Sequence, residues 1–232
     1  ANVGRWLAEK SAATNTDTVF GTAALNAWTA SSDYIPVSAQ LIQDSAYDIE
    51  AYIVSILGMR LGRLSNTGYT TGDGSSKPTG VATTSLVGKA AAAIAATTFN
   101  EMLDLKHSVD RAYRANGTWM FNDNTLLALK KLSLSSANQS LWQPGVVAGE
   151  PSTIDGQRYT VNNDLPDMAA GTHPIIYGDF SKYQIRDTQG INIRRSEHVA
   201  FLNNEITFLG ELRTDGKLLD TAAVKHMRMS NS

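Results

Sequence analysis

Residues 42 to 65 read IQDSAYDIEAYIVSILGMRLGRLS, and the spacing of their apolar side chains decides how the rest of the chain is arranged. Ile42, Ala46, Ile49, Ile53, Leu57, Leu61 and Leu64 recur at intervals of three and four, which places them on one face of an α-helix. Asp44, Ser45 and Asp48 stand where a cap and first-turn carboxylates favour the positive end of a helix, and Arg60 and Arg63 stand near the other end. The pattern predicts a helix from about Ser45 to about Ser65, roughly 30 Å long at about 1.5 Å per residue. A helix of that length spans a whole domain, so the other elements are expected to pack along it.

Downstream, Thr71 to Gly80 is dense in Gly, Ser and Pro and reads as a loop. Thr98-Phe99-Asn100-Glu101 matches a capping box, and Phe99, Met102, Val109 and Tyr113 keep helical spacing until Asn116-Gly117 stops it. A short strand is expected over Thr118 to Phe121, then a helix starting at Asn122 with Leu126, Leu129 and Leu132 on one side. Ser133 to Pro151 is a long irregular stretch holding Trp142, and a loop of that size usually has an external role. After it the pattern turns to strands. Thr153 to Val161 reads as a hairpin around Asp155-Gly156, Ile175 to Tyr177 and Ile185 to Ile193 as strands, and Ile206 to Arg213 as pairing with Lys217 to Met227 across Asp215-Gly216. No internal repeat or clear linker appears, and the class is α+β.

Upstream, residues 1 to 33 carry Trp6, Leu7, Val19, Phe20, Leu25 and Trp28 among Thr, Ser, Asn and Ala, with hardly any continuous apolar core. Thr14 to Thr18 reads as a polar turn, so the simplest reading is a long exposed hairpin, which is marginal in water without a partner surface. Removing residues 1 to 33 is therefore expected to leave a folded body. Exposed aromatics in core-poor segments tend to find partner pockets, which singles out Trp6, Phe20, Trp28 and Trp142 as anchors for a subunit interface.

The chain has 232 residues, 42% hydrophobic and 18% charged, enough to bury a sizeable core. Its formal net charge of −2 provides no overall positive field to hold a polyanion. It has no Cys, which excludes disulfides, thiolate metal sites and cysteine nucleophiles. No stretch approaches the roughly 20 apolar residues of a membrane span, and no basic-then-apolar export signal is present.

Several strings, taken in order, resemble the tailed-bacteriophage major capsid family with the Hong Kong 97-type shell fold. They are Pro36-Val37-Ser38, Leu41-Ile42-Gln43-Asp44-Ser45, the long helix, Gly72-Asp73-Gly74 and Lys77-Pro78-Thr79-Gly80. Trp119-Met120-Phe121-Asn122, Leu141-Trp142-Gln143-Pro144, Asn162-Asn163-Asp164-Leu165-Pro166, Tyr177-Gly178-Asp179-Phe180-Ser181, Arg213-Thr214-Asp215-Gly216-Lys217 and Ala222-Ala223-Val224-Lys225 follow. The set covers nearly all of residues 34 to 229.

The resemblance implies an extended β-hairpin loop at 1–33 lying over a neighbouring subunit. It implies a peripheral domain with the spine helix and glycine-rich loop at 34–89 and return strands at 190–232, and a mixed axial domain at 90–189. It further implies a structural protein, not an enzyme, that self-assembles through capsomers into the icosahedral head of a virion. That head encloses double-stranded DNA without specific binding and is assembled in the host bacterial cytoplasm. Portal, scaffold, protease and decoration proteins are the partners such a protein meets. The family usually carries an N-terminal arm before the extended loop, so proteolytic trimming or a partial record is expected here. Encapsulin and gene-transfer-agent shells share the fold and are the nearest alternative.

His107, His173, His198 and His226 show no pair at helical metal-ligand spacing, and no cofactor is implied. The glycines of the 72–80 loop follow a helix and fit no phosphate-binding fingerprint. Asp44 with Asp48, Glu101 with Asp104, and Asp164 with Asp167 are raw material for a carboxylate-dependent hydrolase, yet two of these pairs sit where helix starts explain them. Some family members form an isopeptide bond between a lysine of the extended loop and an asparagine of another subunit, assisted by a glutamate. The resemblance puts the lysine at Lys10 and the asparagine near Asn203. It puts the glutamate position at Gly210, with Glu211 beside it, so the amine lacks a base and the crosslink is disfavoured.

Overall fold

The structure, a computed structural model, describes residues 9–10, 22–135, 142–143 and 153–231. Its elements run β1 (Trp28–Ser38), α1 (Ala39–Asp44), α2 (Ile49–Thr71), α3 (Val81–Thr84), β2 (Leu86–Ala90), α4 (Phe99–Ser108), α5 (Arg111–Arg114), β3 (Thr118–Phe121) and α6 (Asp123–Ser135). They continue with β4 (Trp142–Gln143), β5 (Thr153–Ile154), β6 (Tyr159–Val161), β7 (Ile175–Gly178), β8 (Tyr183–Ala200), β9 (Glu205–Leu218) and β10 (Val224–Arg228).

The long helix is present but displaced toward the C-terminus. Asp48 is its N-cap, accepting from the Ala51 amide at 2.9 Å, because Ser45 closes the separate helix α1 and a non-helical bend at Ala46 and Tyr47 follows it. Ile53, Leu57 and Leu61 are fully buried, whereas Ala46 lies before the helix and Leu64 is half exposed. The buried stripe packs on the antiparallel sheet β1-β9-β8, meeting Ile206 and Phe208 with Ile35, Val37 and Ile193 around them. Since α2 continues to Thr71, Arg60 and Arg63 stand mid-helix, and Arg60 Nη1 donates to the Ser32 carbonyl at 3.5 Å.

A second sheet has the order β2-β10-β7-β3-β6 and is covered on both faces. Side chains alternate along its strands. Trp119, Phe121, Ile175, Tyr177 and Met227 join Met102 and Leu105 of α4 and Leu126 and Leu129 of α6. Ile176 and Val224 point the other way, onto Val81 and Ala82 of α3, Leu165 and Leu218. The capping box forms as the sequence suggests, with Thr98 Oγ1 accepting from the Glu101 amide and Glu101 accepting from the Thr98 amide. The helix expected to reach Asn116 instead breaks at Val109, and Asp110 caps the short α5. Asn122 caps α6 by accepting from the Thr125 amide at 2.8 Å.

Two strand expectations are corrected. Asp215-Gly216 is not a turn, for β9 runs straight through it and pairs with both β1 and β8. Gly216 is needed there because a Cβ would collide with the Tyr183 hydroxyl, which donates to the Thr79 carbonyl at 2.9 Å. Lys217 to Met227 therefore does not fold back on β9, and β10 pairs instead with β7 and, in parallel, β2. The turn at Asp155-Gly156 is real, with φ of 48° and 70° and a bridge from Ile154 to Gln157, but β6 then pairs in parallel with β3.

Candidate assembly interface

Among the described residues, three strongly exposed apolar side chains gather where β8 and β9 turn. Val199, Phe201 and Leu202 are 71%, 75% and 96% exposed, around a 3-10 turn closed by Asn204 in the left-handed region. The turn is fixed to the body, since the Asn204 carbonyl accepts from the Ala39 amide at 3.0 Å and Arg195 pairs with Glu50 at 3.3 Å. Leu41 of α1, Tyr47 between α1 and α2, and Tyr52 of α2, all more than half exposed, come from the segment joined to it by those bonds. Large apolar groups held in water on a rigid support mark a contact surface, because each gains by burial against a partner.

A second feature is a groove of about 390 Å³ between β1, α2 and the loop after α2, lined by Trp28, Leu64, Gly68, Lys77 and Pro78. The loop wall is rigid. Gly80 donates to the Gly72 carbonyl at 2.8 Å, Thr79 donates to the Gly216 carbonyl at 3.0 Å, and Lys77 pairs with Asp73 at 3.3 Å. Its amides are thus turned inward and an acid stands at its mouth, an arrangement unsuited to holding phosphate.

Five of the six paired carboxylates, all but Asp44, are engaged in structural bonds. Asp48 and Glu101 cap helices, Asp104 pairs with Lys89 at 2.6 Å, Asp164 accepts from Asn66, and Asp167 accepts from Asn122 and Asn124. Burial pushes the Glu101 carboxyl up, but hydrogen bonds from Ala92, Thr98 and Thr97 outweigh it and hold the group below its ordinary range.

A family model described as the phage capsid family matches residues 1–229. The chain belongs to that family. It is a major capsid shell protein with the Hong Kong 97-type fold. Its fold superposes on the capsid of a native GTA particle with a TM-score of 0.85 and 25% identity, covering 98% of this chain and 81% of that one. The Gordonia phage Cozz structure gives 0.72 at 13% identity over 100% and 79%. A holo-encapsulin of Synechococcus elongatus gives 0.64 at 12% identity over 87% and 73%. No curated protein matches the chain by sequence.

Of the four aromatic anchors expected from the capsid sequence, Trp28 lines the groove, half buried at the start of β1. Trp142 lies in β4, paired through its backbone with Ile154, and its side chain falls outside the described set. Trp6, Phe20 and the turn at Thr14 to Thr18 also lie outside the described residues. Lys10 is exposed in a turn with φ of 64°, and Asn203 is exposed in the β8–β9 turn. Gly210 donates its amide to Ser32 Oγ at 2.9 Å, and a Cβ there would meet Ser32, Leu61 and Leu57. That position faces α2, while Glu211 on the opposite face pairs with Arg194 at 2.8 Å.

Sequence reasoning missed two features. The Val199–Leu202 tip was readable as an apolar run before Asn203-Asn204, but such a run equally describes a core strand. His173 and His226, far apart in the chain, stack with centroids 3.9 Å apart, a contact no local spacing announces.

Proposed function

We propose that this subunit builds the icosahedral head of a tailed phage, enclosing double-stranded DNA inside a closed shell of its own copies. The observation that carries this reading is the β8–β9 tip, whose apolar side chains are held in water by a rigid support and need a second copy to cover them. On this reading residues 1–33 form the extended loop over a neighbour, 34–89 and 190–232 the peripheral domain, and 90–189 the axial domain. Trp6, Phe20, Trp28 and Trp142 then serve as anchors between copies. Portal, scaffold, protease and decoration proteins are the further partners, and the host bacterial cytoplasm is the place of assembly. Catalysis has no part in this reading, and a Lys10 to Asn203 crosslink stays disfavoured because Gly210 supplies no base.

A gene-transfer-agent shell is the second reading, supported by the 25% identity to such a capsid over 98% of the chain. Electron microscopy of purified particles tests the first claim: closed shells or capsomer rings are expected, and a permanently monomeric 25.0 kDa protein would refute it. Sequencing the enclosed DNA separates the readings, since a phage head is expected to hold one uniform genome that encodes the shell itself and any other cargo favours the second reading.

A further inference from the structure

The five-stranded sheet is electrically polarised along its strands. At the end where β3 and β6 begin, α4 and α5 supply Lys106, His107, Arg111 and Arg114 around an open hollow of about 620 Å³. Exposed Arg158 joins them, its carbonyl accepting from the Trp119 amide at 2.9 Å. Lys106 is neutralised by Asp155 at 2.5 Å, and Arg114 donates to His107 Nδ1 at 2.8 Å. Arg111 makes no ion pair among the described residues. Asp110, the cap of α5, and Asp220, which accepts from the Tyr113 hydroxyl of α5 at 2.6 Å, are the carboxylates beside them.

Where β3 and β6 end, the sign reverses. Asp123 opens α6, and Asp164 and Asp167 lie in the turn after β6. Their recorded partners are amides: Asn66 for Asp164, and Asn122 with Asn124 for Asp167. No cation pairs with any of the three among the described residues. The two ends are separated by the four residues of β3, roughly 13 Å at about 3.3 Å per residue, which exceeds the screening length of about 8 Å at physiological salt. Within one subunit the patches therefore hardly feel each other.

We propose that these two ends meet between copies, the basic α4–α5 end of one subunit docking on the acidic β6–α6 end of the next. This rests on the reading of the chain as a shell subunit and names a contact within it. A two-fold dimer can also pair the two ends reciprocally but stops at two copies, whereas a shell needs a contact that repeats. Repeated head-to-tail contact satisfies both and closes into a ring. A nucleic acid is the poorer partner for the basic end. Lys106, Arg111, Arg114 and Arg158 less Asp110, Asp155 and Asp220 leave a net charge of only +1, too little for a phosphate tract. Opposed charges of this kind set register and suppress wrong contacts.

The test uses the full chain and three variants, Arg111→Glu, Asp123→Arg and the double swap. Among the described residues neither side chain makes a hydrogen bond or ion pair, so Arg111→Glu should melt like the parent by circular dichroism. Asp123→Arg gives up a favourable first-turn charge on α6 and should melt a few degrees lower at most. Each single reversal is expected to raise the concentration needed for capsomer or shell formation by about tenfold at low salt, and the double swap to restore it. The inference is overturned if the single variants assemble like the parent, or if the double swap is no better than the worse single. Shells of Arg111→Glu that form normally but lose DNA would also overturn it, because the basic end would then face the genome. A parent that never assembles would instead sink the shell reading itself.

Discussion

The imidazole of His173 stacks on that of His226 with centroids 3.9 Å apart and planes 22° from parallel. His226 is buried in β10. The Ser85 hydroxyl donates to the Ala82 carbonyl at 3.3 Å and accepts from His226 Nδ1 at 2.9 Å, leaving Nε2 enclosed without a partner. Burial first, then the neighbouring His173 and Arg228, hold the His226 pKa down to about 4, and burial lowers that of His173 as well.

A proton on His226 would be a buried charge with no acceptor, so the folded state binds it less readily than the unfolded chain. Stability is therefore full above the unfolded pKa of about 6.5 and is lost as pH falls toward 4, by up to about 3 kcal/mol. Chemical denaturation between pH 7 and 4.5 should show this slope, and His226→Gln, which cannot titrate, should flatten it. An unchanged slope in that variant would rule out His226 as the source.

Glu101 holds the start of α4 to the strand end before it, accepting from the Ala92 amide at 2.7 Å and the Thr98 amide at 2.8 Å. Glu101→Ala leaves both donors without an acceptor and should cost about 2 kcal/mol, read as a lower melting temperature. Glu101→Gln keeps one acceptor oxygen and should cost less.

Gly210 sits against α2, with a substituted Cβ 3.1 Å from Ser32 Oγ and 3.2 Å from Leu61 Cδ1. Gly210→Ala should destabilise by about 1–3 kcal/mol through overpacking. Gly210→Glu buries a carboxylate against Leu57 and Leu61 and should abolish soluble, folded subunit. Recovery of a stable Gly210→Glu subunit would mean that the β9–α2 contact is looser than the structure has it.

Truncation separates assembly from folding, at a different point from the one the sequence suggests. Trp28 to Ser31 pair with Glu211 to Thr214, and the Ser32 hydroxyl accepts from the Gly210 amide, so deleting residues 1 to 33 removes half of β1. Deleting residues 1 to 24 spares these bonds, as well as that from Arg186 to the Leu25 carbonyl at 2.6 Å. The shorter deletion should melt like the parent yet fail to form stable shells, while the longer one should unfold at lower temperature.

Phe201 and Leu202 contribute nothing to the core, so replacing both with Ser should leave the melting temperature within about 2 °C, in keeping with a surface change under about 0.5 kcal/mol. Sedimentation velocity should then show capsomers or subunits in place of closed shells. Normal shells would show that the tip is not a contact between copies.

Much of this was legible in local pattern. The four-residue spacing of Ile53, Leu57 and Leu61 gave the spine helix, Thr98 with Glu101 gave the α4 cap, and the alternation in Thr118 to Phe121 gave β3 residue for residue. Failures came where one motif has two physical uses. Asp215-Gly216 has turn composition, but its glycine clears room for Tyr183, a residue distant in sequence. Ser45 and Asp48 are both good caps, and the non-helical bend at Ala46 and Tyr47 leaves Asp48 as the one that meets the first turn of α2. The interface residues were harder still, because the same apolar run at 199–202 would serve a core or a contact.

The sequence by itself determined the family, the α+β class, the spine helix and the lack of cysteine chemistry, because these depend on composition, short-range periodicity and the order of motifs along the chain. Tertiary structure alone decided that β10 leaves β9 for the second sheet, that His173 meets His226, that Gly210 faces inward, and that charge separates to opposite ends of β3. Each of these is a contact between residues remote in the chain, and its free energy depends on packing and desolvation that no local window of sequence contains.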